Sequence, residues 1–228
     1  MKHQPALLGF SQKRRTGFTL IELLVVIAII AALAAVVFGG LTGVDKSTSL
    51  RSGQAVIANM LSAARSKAMA SGHDVLFLVN DNASDVTRYR RMLAVVDRLD
   101  TTKVYSVAYL PAGNYVVPHQ SRFSSSLIKD GTDWSTTSGA SLTSTALSAT
   151  VSRSVESATS ETWESFPLYV EGTSNQQGRI VIASGRELSP TEAGNAGAPI
   201  QLESPDQVRG MLMSYYGLAR MINDKLGF

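Results

Sequence analysis

The chain has 228 residues, with 21 Lys and Arg against 18 Asp and Glu, a formal net charge of +3 and no cysteine. That length allows one domain, or one domain with an appended element. Lack of cysteine excludes a disulfide framework, a thiolate nucleophile and a Cys-based metal site. Residues 1–17 hold Lys2, Lys13, Arg14 and Arg15 and no acid, leaving 17 bases against 18 acids in the remainder, so the basicity belongs mostly to the leader and points only weakly to nucleic acid.

From Phe18 to Phe38 there are 21 residues, and Glu22 is the only charged one. As a helix rising about 1.5 Å per residue they span roughly 30 Å, the hydrocarbon thickness of a bilayer. Lys13, Arg14 and Arg15 precede the run, and cationic flanks stay cytoplasmic, so the N-terminus is expected inside and everything after Phe38 outside. Gly39, Gly40 and Gly43 then loosen the backbone. A secretory signal accounts for the basic start but not for the length, and a carboxylate opposes its insertion. A plain membrane anchor accounts for the length but not for Glu22, since an ionisable group inside lipid is costly. At the cytoplasmic edge, Glu22 could also reach the headgroups.

The segment Gly17-Phe18-Thr19-Leu20-Ile21-Glu22 closely resembles the N-terminal signature of type IV pilins and type II secretion pseudopilins. The resemblance implies cleavage by a prepilin peptidase between Gly17 and Phe18, followed by N-methylation of Phe18. Glu22 then stands at mature position five. Cleavage frees a secondary ammonium at Phe18, which a neighbouring subunit's Glu22 can meet when helices stack with an axial offset. Pairing offsets much of the cost of either charge in a low-dielectric core, so the carboxylate sets the register between subunits.

Beyond the glycines, Leu50, Ile57, Leu61, Ala64 and Ala68 make an apolar stripe, with Arg51, Asn59, Arg65 and Lys67 elsewhere. The spacing predicts a helix over about 45–71, with Ser47 or Ser49 as its cap and Gly72 just past its end. Strands are expected at Val75–Val79, Tyr89–Val96, Val104–Leu110 and Tyr115–Val117, forming an antiparallel meander that covers the helix. The fold class is α+β: a long N-terminal helix, half transmembrane and half amphipathic, packed on an antiparallel β-sheet head. The expected divisions are leader 1–17, transmembrane helix and glycines 18–43, amphipathic helix 44–72 and β head 73–228.

Between Ser121 and Ser165, 22 of 45 residues are Ser or Thr, which predicts a long and partly mobile surface insertion pinned by Trp134 and Trp163. Phe166–Glu171 and Arg179–Ala183 read as a hairpin across GTSNQQG, and 189–206 as an irregular connection. At the C-terminus, Val208 to Ile222 fits a helical stripe or a hairpin turning near Gly217. Gly210 and Gly217 would each cost about 1 kcal/mol in a helix, so the hairpin is preferred.

Two further stretches, ARSKAMASGHDVLFLV (64–79) and YLPAGNYVVP (109–118), resemble the H-type minor pseudopilins and related minor pilins, the GspH/FimT group. The resemblance covers roughly 14–118. It implies a structural subunit held in the inner membrane with its head in the periplasm. It also implies assembly with other pseudopilins or pilins, served by a prepilin peptidase, a platform protein and a cytoplasmic ATPase.

No Walker loop and no G-x-S-x-G elbow occurs, and His3, His73 and His119 show no ligand spacing, so neither an enzyme nor a cofactor or metal is expected. His73 beside Asp74 reads as a solvated turn residue, with a pH-sensitive contact as the alternative. Glu171 is the lone carboxylate of EGTSNQQG, too few for a Ca²⁺ loop. Arg88, Arg90 and Arg91 surround Tyr89, with Arg98 and Lys103 nearby, and on an alternating strand Arg88 and Arg90 would share a face. A charged edge strand protected from self-pairing is the preferred explanation. Contact with DNA phosphates, as in a minor pilin for DNA uptake, is the alternative.

Overall fold

A computed structural model describes residues 20–136 and 138–228, the side chains of 34–45 excepted. The first helix, α1, covers Leu20–Ser71, and the chain divides into two compact units, Met1–Gly43 and Val44–Phe228. In the first unit every described side chain, Leu20 to Leu33, is exposed. Among the described residues no helix is long and apolar enough to cross a membrane; Phe18, Thr19 and the side chains after Leu33 in the expected span lie outside them.

In the second unit α1 buries the predicted stripe, Leu50, Ile57, Leu61, Ala64 and Ala68. The expected caps at Ser47 and Ser49 open no helix, because α1 runs through them. Gly72 follows the last turn in the left-handed region, at φ 66°, and its N–H donates to the Ala68 carbonyl at 3.2 Å.

Among the described residues, ten strands form antiparallel pairs around this helix segment. The first sheet contains β1 (Val75–Asn80), β2 (Met92–Asp97), β3 (Val104–Tyr109), β5 (Ala149–Arg153) and β6 (Glu161–Leu168), in the order β3-β2-β1-β6-β5. The second contains β4 (Asn114–Val116), β7 (Gly178–Glu187), β9 (Val208–Met213) and β10 (Ala219–Ile222), in the order β10-β9-β7-β4, while β8 (Ile200–Leu202) pairs with β7. Strand alternation decides what each face does. Val75, Phe77 and Val79 join the α1 stripe, Phe166, Ile180, Ile182 and Met211 in one core. Leu76 and Leu78 point the other way, into a cluster with Met92, Val96 and Trp163. β1 is covered on both faces, which is why it reads as an unbroken apolar run.

The helix, the first three strands of the meander and the C-terminal hairpin β9–β10 agree with the sequence, and the helical alternative for 208–222 does not. Several other expectations are corrected. The fourth strand, β4, leaves the meander and pairs with β7 in the second sheet. Tyr89–Arg91 is not strand; β2 begins at Met92, and Arg90 sits in a turn at φ 58°. Phe166–Glu171 and Arg179–Ala183 form no hairpin, because β6 lies between β1 and β5 while β7 lies between β4 and β9. The stretch 189–206 is not irregular throughout. It holds β8 and a short helix, α2 (Pro190–Ala196), capped by Ser189 with Glu192 closing the box.

The Ser/Thr-rich stretch 121–165 is corrected most. It supplies β5 and most of β6, and buries Leu127, Trp134, Leu142, Leu147, Val155 and Trp163. Its hydroxyls make this feasible by bonding to backbone. Ser144 Oγ accepts from Val181 N at 3.0 Å, and Thr145 Oγ1 accepts from Arg179 N at 3.0 Å. Arg179 Nε donates to the Thr143 carbonyl at 2.9 Å. Polar residues whose bonds are satisfied can flank a core that composition alone does not reveal.

Candidate functional site

Three places carry the residues singled out in the sequence: the start of α1, the arginine cluster and the helix-to-strand break at His73. At the start of α1, Glu22 lies in the first turn and is exposed, where a carboxylate suits the helix dipole. The other described residues of this stretch, Leu20 to Leu33, are apolar and exposed, with Leu20 87 %, Leu24 67 % and Ile30 60 % exposed. An uncharged helix surface of this kind is stable when it is covered by lipid or by other helices. Gly17 and Phe18 lie outside the described residues.

The arginine cluster is built by the turn between β1 and β2. Arg90 N–H donates to the Asn80 carbonyl at 3.0 Å, and Val116 N–H donates to the Arg90 carbonyl at 2.9 Å, so this turn ties β1 to β4. The left-handed backbone at Arg90 aims its guanidinium inward, where it is 1 % exposed. Nη1 donates to Glu164 Oε2 at 2.6 Å and Nη2 pairs with Asp81. Arg88 Nη1 donates to Glu161 Oε1 at 2.6 Å, and Asn80 Nδ2 holds the other oxygen of that carboxylate at 2.7 Å. Arg122 also pairs with Asp81, and Arg91 lies 3.5 Å from Glu187.

These pairs bring Arg88, Arg90 and Arg91 together, though not as a basic face. A guanidinium already held by carboxylates and withdrawn from water offers a phosphate nothing. The expected alignment of Arg88 and Arg90 on one strand face fails because neither residue is in a strand. Local sequence supplies only Asp81 and Asp85, while the main partners, Glu161 and Glu164, lie more than seventy residues further on. Arg98 lies apart, 3.1 Å from Asp74 and 5.4 Å from the Tyr169 ring centre. Lys103 lies 5.4 Å from the Tyr105 ring centre.

His73, 58 % exposed at its side chain, follows Gly72 as a turn residue, and its Nδ1 lies 3.1 Å from Asp97 Oδ2. The carboxylate it meets is Asp97, at the end of β2, not the adjacent Asp74. Asp97 is almost fully buried and accepts from the N–H groups of Asp100 and Leu99 and from the Tyr105 hydroxyl at 2.8 Å. These donors, the Asp100 N–H foremost, hold its carboxyl well below the usual range against the opposing effect of burial. The sequence did not single out Asp97. Its signal was the local pattern Asp-Arg-Leu-Asp, in which an aspartate accepts from backbone two and three residues on.

Among the described residues no group of three or more His, Cys, Asp or Glu could hold a metal ion. Glu171 is exposed.

The chain matches no curated protein and no solved structure. Residues 12–38 do match a family model described as the prokaryotic N-terminal methylation motif, which is a feature of structural subunits. That match, with an α+β head whose helix packs on antiparallel sheets, supports a type IV pilin-like or pseudopilin subunit in the broad sense.

Proposed function

We propose that this chain is a minor, H-type pseudopilin-like structural subunit of a type II secretion filament or a type IV pilus. A prepilin peptidase cleaves it between Gly17 and Phe18 and methylates Phe18. The run from Phe18 to Phe38 holds it in the inner membrane, N-terminus inside and head in the periplasm. It then joins other pseudopilins or pilins through α1, with a platform protein and an ATPase driving extraction. The methylation motif over 12–38 carries this proposal, and the exposed apolar residues from Leu20 to Leu33 within it agree with a helix built to be covered.

Glu22 supplies selectivity. A carboxylate that meets the Phe18 ammonium of a neighbour favours one axial offset over all others, because any other offset leaves charge in a low-dielectric surround. Mass spectrometry of the mature polypeptide tests the processing. A first residue of N-methylated Phe18 supports it, and an intact leader or another first residue overturns it. Glu22→Ala separates processing from assembly: the variant is expected to be inserted and cleaved normally but to co-assemble poorly with partner subunits. Wild-type co-assembly by that variant would remove the role assigned to Glu22.

A further inference from the structure

Within the second unit, the outer edge of the second sheet presents a cleft of about 320 Å³ lined by Arg51, Gln54, Ala55, Arg209, Met221 and Asn223. Two elements make it. Arg51 and Ala55 lie one turn apart on the exposed side of α1, and Arg209 precedes Gly210, where β9 begins to pair with β10. Arg209 shares the helix-facing side of β9 with Met211 and Met213, which explains how a strand residue reaches a helix residue. Gln54 fixes the junction by donating Nε2 to the carbonyls of Gly210 at 2.6 Å and Ile222 at 2.8 Å.

The charges of this cleft are unbalanced. Its lining holds two guanidiniums and no carboxylate. The clustered arginines of the β1–β2 turn, by contrast, are matched by acid, Arg88 with Glu161 and Arg90 with Glu164. Here, among the described residues, neither Arg51 nor Arg209 has a carboxylate oxygen within 4.0 Å. Arg209 Nη1 donates to Asn223 Oδ1 at 2.9 Å, a neutral partner that orients the guanidinium without cancelling its charge. Asp224 attracts Arg209, but its Oδ1 is engaged by the N–H groups of Leu226 and Gly227. Burial, and next the Arg51 charge, push the Arg209 guanidinium below its usual range. Like charges brought into one cleft are stabilised when an anion lies between them.

The sheet edge beside the cleft indicates how an anion could be delivered. β10 ends the sheet order, and Ala219, Arg220 and Met221 are exposed, so its outer backbone is available to an extended chain. We propose that this cleft is a docking site for an extended, acidic segment of a partner protein, which runs along β10 and places a carboxylate between Arg51 and Arg209. Charge complementarity chooses an acidic partner, and the planar fork of each guanidinium suits a carboxylate better than a diffuse anion. The proposal stands independently of the assembly role of Glu22.

Full-length protein in neutral detergent micelles, with the arginine Nε–H resonances observed by NMR, tests it. The probes are a Glu/Thr hexapeptide, its Gln/Thr counterpart, and sodium acetate. The Glu peptide is expected to shift the Arg51 and Arg209 signals together, and the Gln peptide to bind at least about tenfold more weakly. Arg51→Gln and Arg209→Gln should each weaken the Glu peptide about tenfold, whereas Arg186→Gln, on another face, should not. Arg51 is exposed on α1, so its variant keeps the test decisive should Arg209→Gln fold poorly. Equal binding of the two peptides, or unchanged binding by Arg51→Gln, overturns the proposal. Displacement of the Glu peptide by acetate at equal carboxylate concentration also overturns it, assigning the cleft to a free small anion.

Discussion

Arg90 donates from Nη1 to Glu164 Oε2 at 2.6 Å with both side chains withdrawn from solvent, 1 % and 0 % exposed. The pair joins the turn after β1 to the middle of β6, and Glu164 Oε1 also accepts the His119 N–H at 3.1 Å. Removing one member leaves a buried charge without its partner. Glu164→Ala or Arg90→Ala should therefore cost about 3–5 kcal/mol in chemical denaturation. Arg90→Met combined with Glu164→Leu should recover much of that loss, since two apolar groups need no counter-charge. A double variant no better than the singles would show that hydrogen-bond geometry, and not charge burial, dominates there.

Asp97 gives the head a pH dependence of known sign. Its folded-state carboxyl is held below the ordinary range, so the folded state binds fewer protons than the unfolded one. Its stabilisation is complete above the unfolded carboxyl value, about 4, and fades as pH falls below that. Asp97→Asn should lower the thermal midpoint at pH 7, and the gap to the wild type should narrow steadily from about pH 4 downward. A gap that is constant with pH would assign the effect to packing around Tyr105 instead.

Gln54 holds the last two strands, β9 and β10, to the helix through one carbonyl of each. Gln54→Ala leaves both short of a donor, at a cost of about 1–3 kcal/mol each if water does not replace it. Amide exchange should accelerate in β10 before it changes in β1. There is little slack nearby, because a Cβ at Gly210 would lie 2.1 Å from the Ile180 carbonyl oxygen. Gly210→Ala should consequently open the β7–β9 ladder and destabilise the head by about 1–3 kcal/mol.

Trp163 is fully buried on the outer face of the first sheet, and its Nε1 donates to the Arg153 carbonyl at 3.1 Å. Trp163→Ala should cost about 3–5 kcal/mol by denaturant titration. A residue merely pinning a loop to the surface would change stability by only about 0.5 kcal/mol.

Local periodicity made the first half of the head legible. The step of Leu50, Ile57, Leu61, Ala64 and Ala68 identifies the buried side of α1, and Gly72 marks its end. Val75–Val79 and the turn near Gly217 were readable for the same reason, since the signal lies within a few residues. Pairings between distant segments were not. β6 carries Thr162, Glu164 and Ser165 among its apolar residues, and Glu164 looks solvated until Arg90 is placed against it. Of the residues singled out, Glu22 and the methylation motif were readable as a compact pattern, whereas the fate of Arg88, Arg90 and Arg91 depended on acids supplied from far along the chain.

The order of the first sheet constrains how the molecule can be made. β1 is paired on one side with β2, which follows at once, and on the other with β6, where Val75 faces Leu168. A chain emerging from a ribosome, or threading through a translocation channel, thus exposes one side of its most apolar strand until some ninety further residues have followed. During that interval the strand is open to wrong partners. Biogenesis of the head should accordingly depend on chaperone cover more than its final stability would suggest, and truncations before Leu168 should aggregate where those that keep β6 do not.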